Sequence, residues 1–132
     1  MNTLVTMLPG TSVTYYGEEI GMYDSCAKFE SSDHNIPAVT CDSLTNDFQS
    51  EWARSPMQWD ETKNGGFSTA DKPWIPIADN YRTISVKAQQ GKDKSHLEIY
   101  KSLLKLRKNE AILQSDKFEI KALGENSFAF KR

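Results

Sequence analysis

Cysteine is scarce in this chain of 132 residues, and its two cysteines, Cys26 and Cys41, form no CxxC pair and join no cysteine–histidine cluster. A structural zinc site needs closely spaced thiolate and imidazole ligands, so no metal site is expected. His34 lies between the cysteines in sequence and His96 is far from both, and each reads as a surface residue. Long apolar runs are also missing, with nothing near the roughly 20 residues of a membrane span. The opening Met1-Asn2-Thr3-Leu4-Val5-Thr6-Met7-Leu8 is apolar, but it has no basic region before it and no clear cleavage site, so it does not read as a signal peptide. A basic excess is absent as well. The formal net charge is −2, and the one basic concentration, Lys101 to Lys108, reads as the solvated face of a helix. No nucleic-acid partner is expected. No internal repeat or low-complexity segment is visible.

What is present is ordinary for a folded chain. Hydrophobic residues at 38% and charged residues at 26% do not suggest disorder, and the length is enough to bury a core. Residues 1–8 read as the end of a helix, stopped by Pro9-Gly10. Residues 12–16 are β-branched and aromatic and read as a strand ended by Gly17. Glu18-Glu19-Ile20-Gly21 should form a turn or one helical turn. Residues 23–53 carry no period and read as a long loop, which in a compact domain is often functional. Residues 54–80 read as loops with short extended pieces, held by buried rings of Trp59, Phe67, Trp74 and nearby Tyr81.

The clearest element follows Lys94. Ser95-x-x-Glu98 is a capping box, in which the serine oxygen takes one free amide and the glutamate reaches back to another. Leu97, Tyr100, Leu103, Leu104 and Leu106 form a stripe near the helical period, with Lys101, Lys105 and Lys108 facing out. This helix should run to about Asn109. Residues 118–122 and 127–131 then alternate around Gly124-Glu125-Asn126, which predicts a β-hairpin. One strand, long loops, one helix and a hairpin are not a self-contained domain. The sequence looks cut at both ends.

Four ordered motifs carry a resemblance. Leu8-Pro9-Gly10-Thr11-Ser12-Val13-Thr14-Tyr15-Tyr16-Gly17-Glu18-Glu19-Ile20-Gly21-Met22 resembles the last barrel strand of the α-glucosidases of the α-amylase superfamily, glycoside hydrolase family 13. Ala53-Arg54-Ser55-Pro56-Met57-Gln58-Trp59-Asp60 resembles a second and more specific motif. Gly66-Phe67-Ser68, Pro73-Trp74-Ile75-Pro76 and Asn80-Tyr81 follow in the family's order. Ser95-His96-Leu97, Tyr100-Lys101 and Leu106-Arg107-Lys108 look like the final barrel helix. The flavour is similar to the maltase and sucrase type.

The resemblance implies an α/β fold, the C-terminal end of a (β/α)8 TIM barrel with its last strand, long loop and last helix. The first β-hairpin of a small antiparallel C-terminal domain would follow. On that reading residues 1–112 end the catalytic barrel and residues 113–132 begin the β domain. It also implies hydrolysis of terminal α-linked glucose from oligosaccharides by a retaining mechanism, without a cofactor. Two carboxylates must then flank the bond at roughly 5–5.5 Å. Both, and a third that holds the sugar, lie on earlier strands of the family barrel, so no catalytic residue is assigned here. The chain alone should be inactive. Glu18 and Glu19 do not substitute, because neighbours on an extended chain point to opposite faces. Glu19 reads as the partner of a backbone amide or an arginine.

Arg54 is the one substrate-binding residue assigned. The resemblance puts it at the rim of the active site near the glucose that is cleaved, and an alternative makes it only a tie between the loop and a carboxylate such as Glu19. Gln49-Ser50-Glu51-Trp52 departs from the acidic–polar turn the relatives more often carry. In a secreted, extracellular parent, Cys26 and Cys41 are expected to form a disulfide, whose loop closure contributes ~3 kcal/mol in the chain-entropy model. Two free thiols are the alternative. The aromatic residues could instead form a sugar-stacking platform. The rival for the whole protein is the glucosidase-like ectodomain of an amino-acid transporter heavy chain, which is not an enzyme.

Overall fold

The computed structural model describes residues 2–23, 53–115 and 117–132. Cys26 and Cys41, with the expected disulfide, lie outside the described residues, as do most of the long loop, His34 and Trp52. Three α-helices are described, α1 (Asn2–Met7), α2 (Val86–Gln89) and α3 (His96–Asn109). They are joined by 3-10 turns at Glu18–Ile20, Lys63–Gly66, Asp79–Arg82 and Ala111–Gln114. A hairpin of β1 (Glu119–Ala122) and β2 (Phe128–Lys131) closes the chain.

The helix at 1–8, the turn at Glu18, the helix to Asn109 and the hairpin appear where the sequence puts them. Residues 12–16 do not form the expected strand. A strand needs a neighbouring strand to bond to, and among the described residues the backbone of residues 12–16 bonds only at Tyr15, to the turn that follows. Tyr15 N donates to the Glu18 carboxylate at 3.3 Å and Glu18 N donates to Tyr15 O at 3.2 Å. Gly17 N donates to the Glu19 carboxylate at 2.7 Å. Gly17 itself sits at φ 92°, where a Cβ would approach the Met22 sulfur to 2.9 Å.

A small core of Ile20, Met57 and Leu97 is covered by Met22, Ile84 and Val86. It joins the Glu18–Ile20 turn, the 53–60 motif and the start of α3. The α1 helix packs on α3, and its last carbonyls are taken by guanidinium groups. Arg107 of α3 donates to Thr6 O, Leu8 O and Gly10 O, and Arg132 donates to Met7 O at 2.9 Å. A helix end leaves such carbonyls without partners, so cations there satisfy both the hydrogen bonds and the dipole.

The start of α3 refines the expected capping box. Ser95 Oγ accepts from Glu98 N at 3.3 Å, as expected. The Glu98 carboxylate instead accepts from Gly91 N at 3.0 Å, because Ser95 N already donates to Lys92 O at 3.1 Å. Gln89 supplies a further cap, its Oε1 accepting from Leu97 N at 3.0 Å. The hydrogen bond from Lys101, then the one from Gly91 N, holds the Glu98 carboxyl below its ordinary value of 4.5. A depressed folded value means that this contribution is present above the ordinary value and is lost as pH falls through the lowered one. The Gly91 amide should therefore lose its protection from hydrogen exchange as pH falls below the ordinary value of a glutamate, while the Leu97 amide keeps its own. Equal loss at both amides would show that the whole cap opens without regard to Glu98.

In the hairpin Glu119 faces Lys131 and Ile120 faces Phe130. Phe118 and Phe130 bring their ring centroids to 6.3 Å. Leu123 N donates to Ser127 O at 2.9 Å, which closes the turn.

Candidate functional site

The 53–60 motif is pinned along its length. Ser55, Pro56, Met57 and Gln58 are buried, while Arg54 and Trp59 are exposed. Gln58 Nε2 donates to Ile84 O at 2.5 Å and to Asn80 Oδ1 at 3.1 Å. The backbone carbonyls of Gln58 and Trp59 accept from Val86 N at 3.0 Å and Lys87 N at 2.9 Å, so the motif starts helix α2. A segment with neither helix nor strand is thus fixed by buried side-chain and backbone bonds, and it presents two side chains outward.

Tyr16 fixes the point where Arg54 leaves the backbone. Its hydroxyl donates to Ser55 O at 2.8 Å and lies 3.4 Å from Ala53 O, the carbonyls on either side of Arg54. Burial raises the Tyr16 phenol above its ordinary value, a hydrogen bond and charge from Tyr15 add to this, and the Arg54 charge opposes it. The hydroxyl therefore stays protonated, and a donor, through neutral pH. Tyr15 and Tyr16 rings lie with centroids 4.6 Å apart.

After Trp59 the chain makes a tight reversal. Gly65 O accepts from Trp59 N at 2.8 Å and Asp60 N at 3.0 Å. Gly65 has φ 63°, and a Cβ there would come within 2.3 Å of Ile77 Cδ1, so no other residue fits unchanged. The hydrogen bonds from the Thr62 hydroxyl and amide hold the Asp60 carboxyl below the usual range and lock the reversal.

These pieces surround a cleft of about 620 Å³ lined by Tyr16, Glu19, Arg54, Trp59, Phe67 and Trp74, among others. Arg54 and Glu19 therefore share one cavity, as the sequence suggests. The Glu19 carboxylate accepts from the Gly17 amide, one of the two kinds of partner expected for it. Glu18 and Glu19 each accept a backbone amide of their own turn, from Tyr15 and Gly17 respectively. The expectation of buried aromatic rings fails. Trp59 is 50%, Phe67 55% and Trp74 76% exposed in this chain, and all three line the cleft. Tyr81 is not among the cleft residues and instead packs under the Arg82 guanidinium at 5.0 Å. Tyr16 was not singled out by the sequence, although a tyrosine two residues before the Glu18-Glu19 turn was its visible sign. Among the described residues no group of three or more potential metal ligands occurs, and no helix there is long and apolar enough to cross a membrane.

The Alpha-amylase family profile, described as the alpha amylase catalytic domain, matches residues 1–116. A salivary alpha-glucosidase of Aedes aegypti is 43% identical over 131 residues, covering 99% of this chain and 22% of that protein. Maltase 1 of Drosophila virilis is 39% identical over 137 residues, covering 100% of the chain and 21% of its own length. The amino acid transporter heavy chain SLC3A1 of Homo sapiens is 39% identical over 113 residues, covering 86% of this chain and 15% of that protein. Among solved structures, a trehalulose synthase superposes with a TM-score of 0.79 at 25% identity, over 99% of this chain and 27% of its own. The chain thus spans about a fifth of the length of the two insect relatives.

Proposed function

Since the chain belongs to the α-amylase catalytic-domain family, we propose that its protein is an α-glucosidase, a retaining glycoside hydrolase that releases terminal α-linked glucose from maltose-like or sucrose-like oligosaccharides. The observation that carries this reading is the cleft itself. Arg54 lines one cavity with three exposed aromatic rings. Sugar rings present hydroxyls around an edge and C–H groups on a face, so a planar cation and aromatic faces are complementary to both. The names of the two insect relatives support the same substrate class.

On this reading residues 1–112 close a (β/α)8 barrel and residues 113–132 open a C-terminal β domain. The end of the family match at residue 116 and the start of β1 at Glu119 support that division. Active sites of such barrels lie at the C-terminal ends of the strands, where connecting loops such as residues 53–85 converge. The nucleophile and the proton donor come from other strands, and Arg54 fixes the hydroxyls of the glucose. The salivary relative supports secretion of the whole protein.

The test is to supply maltose to the full-length protein and follow the configuration of the released glucose. Release of the α-anomer is expected, since retention needs two displacements. A full-length protein that releases no glucose from maltose or sucrose would overturn the reading. The transporter-subunit reading, supported by the 39% identity to the heavy chain, would be favoured if that inactive protein carried a membrane span and co-purified with a multi-span partner.

A further inference from the structure

Residues 67–75 form a strap with neither helix nor strand, yet Phe67, Ser68, Ala70, Lys72 and Trp74 of this strap line the cleft. Such a segment holds its shape only through the bonds that tie it down. Asn64 makes two of them. Its Nδ2 donates to Ser68 O at 3.0 Å and to Ala70 O at 2.8 Å. Its own carbonyl accepts from Phe67 N at 3.1 Å. Asn64 sits at φ 54°, a left-handed conformation that few residues besides asparagine and glycine adopt readily. Ala70 N donates to Ser68 Oγ at 3.1 Å and Lys63 pairs with Asp71 at 2.8 Å, but that pair is exposed and contributes little.

We propose that Asn64 is a positioning residue for the sugar that leaves. Its side-chain amide staples the strap so that Phe67 and Trp74 present their faces to the unit beyond the cleaved bond. This rests on the glucosidase reading above. The glucose being cleaved needs fixed polar donors that act in the transition state, and Arg54 is of that kind. The leaving unit has only to be held and then released. Open, largely apolar and solvent-facing rings suit that task, and the strap supplies them on a part of the cleft that comes from a different segment than Arg54.

The experiment compares two substrates on the full-length protein. Maltotriose has sugar units beyond the bond, whereas α-glucosyl fluoride has only a fluoride. Asn64→Asp keeps the size and tolerates the left-handed backbone, but it replaces two donors by a carboxylate facing two carbonyls. Asn64→Gly keeps the backbone and removes the side chain without adding charge. Both variants should raise KM for maltotriose about tenfold with kcat within about twofold, while kcat/KM for α-glucosyl fluoride stays within about twofold of the parent. Equal loss on both substrates would show general disruption of the cleft and overturn the proposal. Unchanged maltotriose kinetics in both variants would also overturn it. A parent protein that turns over neither substrate would instead sink the glucosidase reading.

Discussion

Gln89→Leu should cost the folded protein about 2–6 kcal/mol, which is a large part of the 5–15 kcal/mol typical of a whole domain. Gln89 is 8% exposed and uses both ends of its amide inside the core. Nε2 donates to Ile20 O at 2.6 Å, and Oε1 accepts from Leu97 N at 3.0 Å. Ile20 and Leu97 both belong to the buried cluster they form with Met57, so the amide bolts together the elements that this cluster joins. Leucine has nearly the same volume, and no cavity term enters. It leaves one buried carbonyl and one buried amide without partners, each of which costs about 1–3 kcal/mol. The Leu97 amide belongs to the first turn of α3, so the helix also loses a cap. Ser95 Oγ donates to Gln89 O at 2.9 Å through the backbone, and that bond survives the change. Urea unfolding of the full-length protein reads the effect as a lower midpoint at a constant slope. Gln90→Leu, at the exposed neighbouring position, is the control and should shift the midpoint little. A Gln89→Leu shift no larger than that of Gln90→Leu would show that the amide contributes nothing net.

The contrast between α3 and α2 shows where sequence reading succeeds. The α3 helix carries its own instructions, with Ser95 at the cap and leucines at helical spacing, so its span from His96 to Asn109 is legible. The α2 helix has four residues and no period. Val86 N and Lys87 N are bonded to Gln58 O and Trp59 O, nearly thirty positions earlier in the chain, and no local pattern announces that. The hairpin is legible for the same reason as α3, since alternation and a glycine turn are local signals. The strand expected at 12–16 looked equally local, but strands exist only through partners, and among the described residues no strand pairs with it.

The site divides the same way. Arg54 and Glu19 were visible because a specific motif carried them, and both reach the cleft. The aromatic residues were visible by type but not by direction. Composition favours burying Trp59 and Trp74, and only the fold shows that they face outward. Tyr16 acts through its hydroxyl on carbonyls far along the chain, a bond that sequence spacing does not encode.

Arg54→Lys in the full-length protein should lower kcat/KM by about 30-fold or more, equivalent to roughly 2 kcal/mol, with little change in Tm. The substitution keeps the positive charge and removes the planar fork of donors. A lysine ammonium can reach one hydroxyl, but it cannot hold two in a fixed plane, and its longer-range attraction for neighbouring carboxylates survives. The loss should therefore fall on oriented contacts with the sugar. The structure gives a reason to expect strict orientation. Tyr16 holds Ser55 O at 2.8 Å and lies close to Ala53 O, so the backbone on both sides of Arg54 is anchored before any sugar arrives. Buried Pro56 limits the backbone just beyond it. Backbone anchoring of this kind lowers the ordering cost that remains for the Arg54 side chain when substrate binds, and a donor whose ordering is prepared in advance counts more in the transition state. Tyr16→Phe tests that coupling. It removes the hydroxyl anchor without touching the guanidinium, and it should lower kcat/KM by a smaller factor than Arg54→Lys. In the double variant the two losses should combine to less than their product, because an unanchored backbone matters little once the fork is gone. The alternative role, a tie between the loop and a carboxylate, predicts the reverse pattern for Arg54→Lys, with a lower Tm and normal kinetics. Unchanged kinetics would remove Arg54 from the substrate site whatever happens to Tm.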